Sequence, residues 1–359
     1  MALELRSVTR VVGGATHIHE TDLALAPGTM NVLLGPTLAG KTTLMRLMAG
    51  LDRPTTGRIL WDGEDVTGMR VQDRAVAMVY QQFINYPSMT VRDNIASPLR
   101  LMGADRAEID RRVGEVAALM KLDGMLDRRP LELSGGQQQR CALARALVKD
   151  ARLVLLDEPL ANLDYKLREE LRAEIPRIFA ASGAIFVYAT TEPEEALLLG
   201  GNCATLWEGR ITQFGPTAEV YRRPADATTA RVFSDPPMNF LDLEVGAGGL
   251  RFAGAPDGAA LGRAVAPGRY RAGFRPNHLS LEPVPGALRF DATLSVSEIT
   301  GSETFVHLDH HGDRWVGLAH GVRSLQPGQA LPVWLHPDHV YLFEPSGALA
   351  SGAPYAEAA

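Results

Sequence analysis

Residues 35 to 42 read Gly35-Pro36-Thr37-Leu38-Ala39-Gly40-Lys41-Thr42, the spacing G-x-x-x-x-G-K-[ST]. This run constrains the chain more than any other. It demands a strand, a tight turn and a helix in that order. Thr29 to Leu34, before it, is a short and mostly apolar run that suits a buried strand. Thr43 to Ala49, after it, has helical spacing, and Gly50 suits the stop. Gly35 and Gly40 let backbone N–H groups curl around a polyphosphate. The helix start adds positive dipole potential. Lys41 places a mobile ammonium on the terminal phosphates, and the Thr42 hydroxyl can ligate the Mg²⁺ they carry. The plain alternative is a glycine turn that happens to contain a lysine. The flanking strand and helix argue against it.

A chain of 359 residues suggests two domains or three. Hydrophobic residues at 46% and charged residues at 22% supply a core of ordinary size. The net charge of −6 argues against sequence-independent nucleic-acid binding, which relies on clustered Lys and Arg. Cys141 and Cys203 each lie in an apolar segment with no metal spacing, and read as reduced buried thiols. Met1 to Arg6 has no signal-like pattern. No stretch approaches the roughly 20 apolar residues that cross a bilayer, so a membrane role is expected through a partner.

Further along, the apolar run Ala75 to Tyr80 ends at Gln81-Gln82. A glutamine there can hydrogen-bond a metal-bound water or the metal; a plain polar cap explains it equally well. Residues 91 to 149 read as mostly helical, with Ile109, Val113, Val116 and Met120 at core spacing. Ser134, Gly135, Gly136 and Gln137 precede a helix expected over 138–148. They form either a second anion cradle or an N-cap with flexible glycines. Two cradles make sense if a nucleotide is sandwiched between two copies of the fold. Leu153 to Leu156 read as a central strand delivering Asp157 and Glu158 to the sheet edge. Asp157 would hold Mg²⁺ through water, and Glu158 would orient or deprotonate the attacking water. A further strand, Ala184 to Ala189, leads to Thr190, Thr191 and three acids. From Asp235-Pro236-Pro237 the chain turns rich in Gly and Pro, with short alternating strands. This reads as an all-β domain, a small barrel of oligonucleotide/oligosaccharide-binding type. His17 and His19 read as surface histidines, and His310-His311 as a solvated hairpin turn.

The phosphate loop, Gln81, Leu133-Ser134-Gly135-Gly136-Gln137 and Leu153 to Glu158, in that order, resemble the ATP-binding-cassette ATPases. The second of these cradles is that family's signature motif. Pro236 to Leu241, Phe274 to Leu279 and Gly301 to Thr304 look like the extra β domain of carbohydrate-importer ATPases of the maltose and glycerol-3-phosphate kind. Gly35 to Thr42 with Tyr80 to Pro87 is similar to one ATPase of those bacterial glycerol importers that carry two different ATPases. The resemblance implies an α/β nucleotide-binding domain over 1–235, with a helical subdomain at about 91–149. An all-β domain over 236–359 would follow and serve regulation or dimerisation. It implies ATP and Mg²⁺ as cofactors. Residues 35 to 43, Thr43 included, would hold the nucleotide, and Thr42, Gln81 and Asp157 would address the metal. Ser134 to Gln137 and Asp164 would serve the nucleotide across a dimer. Residues 81 to 95 would receive a helix of a membrane permease. The implied partners are permease subunits, a second and non-identical ATPase, and indirectly a periplasmic solute-binding protein. The implied location is the cytoplasmic face of the inner membrane.

Two positions depart from that pattern. The adenine-stacking aromatic falls on Val12, which gives up stacking worth about 1–3 kcal/mol. The histidine expected beyond Ala189 falls on Thr191, which lacks a long-reach imidazole donor. The expected function is ATP-driven uptake of a polyol or sugar, glycerol foremost. The alternative is a mainly structural half that completes a competent partner's site. A cassette ATPase acting on DNA or ribosomes is disfavoured, for the chain shows no basic face and no second cassette.

Overall fold

The computed structural model describes residues 2–81, 84–149, 151–161, 165–180, 183–246, 249–252, 261 and 263–357. The chain divides into two compact units, Met1–Thr217 and Ala218–Ala359.

The first unit opens with a long antiparallel hairpin, β1 (Leu3–Val12) and β2 (Ala15–Leu25), turned at Gly13-Gly14. These strands are longer than the short ones expected from sequence. After β3 (Met30–Leu34) and α1 (Lys41–Ala49) come β4 (Thr56–Trp61) and β5 (Glu64–Asp65), which complete a sheet ordered β2-β1-β4-β5. Helix α1 is bounded by glycines on both sides. Gly40 has φ 104° and Gly50 has φ 76°, and the Gly50 N–H caps the Arg46 and Leu47 carbonyls. Next come β6 (Val76–Val79) and three helices, α2 (Val91–Leu101), α3 (Arg106–Leu119) and α4 (Gly135–Leu147). Thr90 and Asp105 cap α2 and α3 through Asp93 and Glu108 N–H. The chain then alternates through β7 (Leu153–Asp157), α5 (Tyr165–Ala180), β8 (Ile185–Thr190), α6 (Pro193–Leu199), β9 (Asn202–Trp207) and β10 (Arg210–Pro216). The second sheet is ordered β10-β9-β3-β8-β7-β6 and is parallel except for β10. Its central strands are apolar runs buried on both faces, as helix-covered parallel strands must be. Leu44, Met45, Leu47 and Met48 of α1 share one core with Leu3, Leu5, Leu33, Leu155 and Val187 from both sheets. Each such side chain contributes about 1.5–3 kcal/mol of burial. This core fixes where the phosphate loop sits.

Helix α7 (Thr217–Arg222) begins at the junction, and α8 (Ala227–Val232) lies wholly in the second unit. Seven strands form its first part: β11 (Asn239–Gly246), β12 (Gly249–Phe252), β13 (Gly268–Phe274), β14 (Leu279–Ser280), β15 (Leu288–Ile299), β16 (Glu303–His310) and β17 (Asp313–His320). β18 (Ala330–Leu335), β19 (Tyr341–Phe343), β20 (Leu349–Ser351) and α9 (Pro354–Glu357) finish it. Two five-stranded antiparallel sheets result, β12-β11-β13-β19-β20 and β14-β18-β15-β16-β17, around a common core. Trp315 sits at its centre and donates its indole N–H to the Phe240 carbonyl at 3.0 Å.

The units meet at 217/218 rather than at 235/236, and the reason is packing. Arg275 donates to the carbonyls of Phe233 and Tyr221 at 2.6 and 2.8 Å, and Ala230 of α8 packs with Phe240, Tyr341 and Phe343. The Gly/Pro-rich composition begins only after these helices, so composition marked the wrong end of them. His310 is a second correction. It is buried, stacked on Trp315 at 4.3 Å and bonded to the Asp291 carbonyl, whereas His311 is exposed at the turn.

Candidate functional site

The phosphate loop joins β3 to α1 and is held from three sides. Gly35 N–H donates to the Thr190 carbonyl at 3.3 Å, and Gly209 N–H donates to the Ala39 carbonyl at 2.9 Å. A Cβ on Gly35 would lie 2.4 Å from the Leu206 carbonyl oxygen. The first glycine is thus required by strand β9 as much as by any ligand. Pro36 and Thr37 are exposed, and Leu38 stands 95% exposed at φ 69°, a left-handed conformation that costs a leucine energy. Ala39 is buried.

Inside the loop, Lys41 is 5% exposed. Its ammonium donates to the Gly35 and Pro36 carbonyls at 2.7 and 3.1 Å and stands 3.3 Å from Glu158. Burial lowers its pKa, and the carboxylates of Glu158 and Asp157 oppose that shift. The Thr42 hydroxyl donates to Asp157 Oδ2 at 2.8 Å; Thr43 is half-buried beside it in sequence. Burial raises the Asp157 pKa, the Thr42 hydrogen bond lowers it, and the neighbouring Glu158 charge adds to the rise. Gln81 donates its amide to Glu158 Oε2 at 2.9 Å. Glu158 has φ 45°, and its own N–H is tied to the Ala189 carbonyl of β8 at 3.0 Å. Two bonded groups, Lys41–Glu158–Gln81 and Thr42–Asp157, therefore form one set through the adjacent pairs Lys41-Thr42 and Asp157-Glu158, drawn from α1, the end of β7 and the residues after β6 and β7.

This set suits a hard cation carried on a polyphosphate. The Thr42 hydroxyl, the Asp157 carboxylate and the Gln81 amide all offer oxygen. No group of three His, Cys, Asp or Glu among the described residues could hold a metal by itself. That fits Mg²⁺, which takes one or two carboxylates and completes its shell with phosphate and water. Bound there, the ion would neutralise charge on the terminal phosphates.

Ser134, Gly135, Gly136 and Gln137 are not joined to this set by any hydrogen bond or ion pair among the described residues. Ser134 caps α4 in a capping box: its Oγ accepts from Gln137 N–H, and Gln137 Oε1 accepts from Ser134 N–H. The helix begins at Gly135, earlier than expected from sequence, because this box closes its first turn. Ser134 and Gly135 are exposed and Gly136 is buried. Val12 is 45% exposed at the tip of the β1–β2 hairpin, also apart from the set, and Thr191 is exposed beyond β8. Asp164 lies outside the described residues, as do Gln82 and Phe83.

Several residues at the site escaped sequence reading. Asn94 is fully buried; it accepts from Tyr86 N–H at 2.7 Å and donates to the carbonyls of Tyr86, Met89 and Thr90. It thereby shapes the loop between Gln81 and α2. Asn85 donates to the Gln138 carbonyl at 2.8 Å. Arg145 of α4 bonds the Ile84 carbonyl and lies over the Tyr86 ring at 5.0 Å. The loop after Gln81 is thus fastened to the helix that starts at Ser134. A cavity of about 630 Å³ opens beside it, lined by Met78, Tyr80, Ile84, Tyr86, Pro98 and Leu101 among others. Leu101 is 88% exposed.

Comparison with known proteins follows the same division. Residues 18–161 match the family described as ABC transporter, and residues 272–343 match the TOBE domain. The chain is 38% identical to the sn-glycerol-3-phosphate import ATP-binding protein UgpC of Burkholderia thailandensis, over 96% of this chain and 98% of that one. It is 39% identical to the protein of the same name from Salmonella typhi, over 94% and 96%. Among solved structures, the dimeric ATP-binding cassette MJ0796 in a post-hydrolysis state bound to ADP and Pi aligns with a TM-score of 0.54 and 26% identity. The alignment covers 60% of this chain and 98% of that one. The chain belongs to the ABC transporter ATPases, in the group whose ATP-binding cassette is followed by a TOBE domain.

Proposed function

We propose that this protein is the ATP-hydrolysing subunit of an importer for a polyol or sugar, a small polyol foremost. The observation that carries this reading is the connected set of Lys41, Thr42, Gln81, Asp157 and Glu158 at the mouth of the phosphate loop. Lys41 and the loop amides hold the phosphates, Thr42 and Asp157 hold Mg²⁺, and Glu158 orients the attacking water, with Gln81 as its hydrogen-bond partner. Ser134 to Gln137 and Asp164 address the nucleotide of a second cassette, so that ATP closes a pair of cassettes and hydrolysis reopens it. Closure reaches the membrane through the cavity beside Tyr86 and Leu101, which takes an apolar permease helix. No helix among the described residues is long and apolar enough to cross a membrane, so attachment through permease subunits is the route to the inner face. A solute-binding protein acts on the far side.

The resemblance of Gly35 to Thr42 with Tyr80 to Pro87 to one ATPase of glycerol importers favours glycerol as the solute. The names of the relatives favour sn-glycerol-3-phosphate. Uptake of each labelled solute by cells with and without this chain, the permease genes unchanged, decides between them. Loss of neither uptake would overturn the polyol reading.

A second reading concerns the partner. Val12 and Thr191 stand where the family pattern has an aromatic and a histidine, which supports a weakened own site, with tolerated variation as the alternative, while Ser134 to Gln137 keep the signature. If the second cassette is non-identical and competent, Gly136→Asp abolishes transport, because a carboxylate there faces the partner's γ-phosphate. Lys41→Ala then leaves a measurable remainder. Equal loss in the two folded, assembled variants would instead mean that this chain's own site turns over in every cycle.

A further inference from the structure

The reading above leaves a buried acid on α6 unused. Glu195 is 4% exposed. Its Oε2 accepts from the Tyr188 hydroxyl at 3.0 Å and from the Thr190 hydroxyl at 2.6 Å. Arg172 of α5 stands 3.8 Å from its other oxygen. The same arginine reaches Glu192 at 3.3 Å and Glu169 at 2.8 Å, and Arg168 holds Glu192 at 2.7 Å. Burial raises the Glu195 pKa; the two hydroxyls and Arg172 oppose that rise. A carboxylate in such a place is costly unless each partner stays in position, and the two hydroxyl donors fix its geometry, although the Nε atoms of Arg168 and Arg172 are buried without a hydrogen-bond partner.

What that geometry holds is the edge of the reaction site. The Thr190 oxygens serve three bonds. The hydroxyl donates to Glu195 and accepts from Glu192 N–H at 3.0 Å. The Thr190 carbonyl accepts from Gly35 N–H, the first residue of the phosphate loop. One residue earlier, the Ala189 carbonyl accepts from Glu158 N–H. The last two residues of β8 thus anchor both the loop and the backbone of Glu158, and Thr191 follows directly.

We propose that Glu195 is a positioning residue for ATP hydrolysis, acting through Thr190 to fix Gly35, Glu158 and Thr191 relative to one another. The proposal rests on the assignment of Lys41 to Glu158 as the ATPase site. A shift of an ångström at such a site can cost up to a hundredfold in rate.

The test is ATP turnover by the full chain assembled with its permease. Thr190→Val keeps the shape and removes the hydroxyl. It lowers kcat about tenfold while KM for ATP changes by less than about threefold. Thr190→Ser restores the hydroxyl and recovers at least about half of the wild-type kcat. Glu195→Met keeps the length, removes the oxygen that accepts from both hydroxyls, and lowers kcat by a similar factor. It decides the matter if Thr190→Val does not fold. Folded variants with wild-type kcat, altered only in melting temperature, would overturn the proposal and leave Glu195 a structural residue. Turnover that Glu158→Gln does not diminish would overturn this proposal together with the site assignment. Turnover that Glu158→Gln abolishes, with Thr190→Val at full rate, would overturn this proposal alone.

Discussion

Asp157 shows how function sets the terms at single positions. Its carboxyl is buried, beside Glu158, with Thr42 as its one hydrogen-bond donor among the described residues. Its folded pKa therefore lies above its unfolded one, near 3.9. Above that value the unfolded chain gives up the proton more readily than the folded one, so ionisation of Asp157 costs stability as pH rises. Asp157→Asn should melt at a higher temperature than wild type at pH 7.5 without nucleotide, and the gain should shrink as pH approaches 4. Turnover should fall about a hundredfold. A lower melting temperature at pH 7.5 would contradict this. At this scale the sequence was most informative where chemistry dictates spacing, as in Gly35 to Thr42 and in Asp157-Glu158. It was silent on Gly209, whose role depends on β9 and β10 returning to the loop from far along the chain. It misled at His310, because adjacent histidines look polar until one is seen stacked on Trp315.

Among the elements, α2 and the loop before it are, on the proposed function, the link between nucleotide and membrane. Apolar periodicity exposed the helices of residues 91 to 149, and the capping residues Thr90, Asp105 and Ser134 place their starts. Asn94 could not be read this way, since an asparagine inside a helix usually faces water. Here it replaces a strand's worth of partners for the loop at Tyr86 to Thr90. Asn94→Ala leaves the Tyr86 N–H and the Met89 carbonyl without this partner, while backbone N–H groups still serve the Tyr86 and Thr90 carbonyls, a loss of about 1–3 kcal/mol. A thermal melt should register it. In the reconstituted transporter, uptake should fall more than ATP turnover does, because the loop touches the cavity and not Lys41. Equal losses would place Asn94 in the chemistry and not in the coupling.

For the molecule as a whole, the two units differ in how far the sequence revealed them. The first was legible as an α/β domain because central strands such as Leu153 to Leu156 are uniformly apolar and their ends carry the chemistry. The second was legible as β-rich. Its boundary was not, because α7 and α8 have ordinary helical composition and are claimed by Arg275, Phe240 and Tyr341 only in three dimensions. A fragment of residues 218–359 should therefore unfold cooperatively with a buried tryptophan signal, whereas 236–359 should be less stable, having lost the partners of Arg275. Equal melting of the two would contradict the junction at 217/218. On the proposed function, ATP hydrolysed at the Lys41 to Glu158 set drives uptake. The most direct test is ATP turnover in proteoliposomes containing this chain, its permease subunits and solute-loaded binding protein. Glu158→Gln in this chain should cut solute-stimulated turnover by about a hundredfold while ATP still binds; turnover unchanged by that substitution would contradict the account.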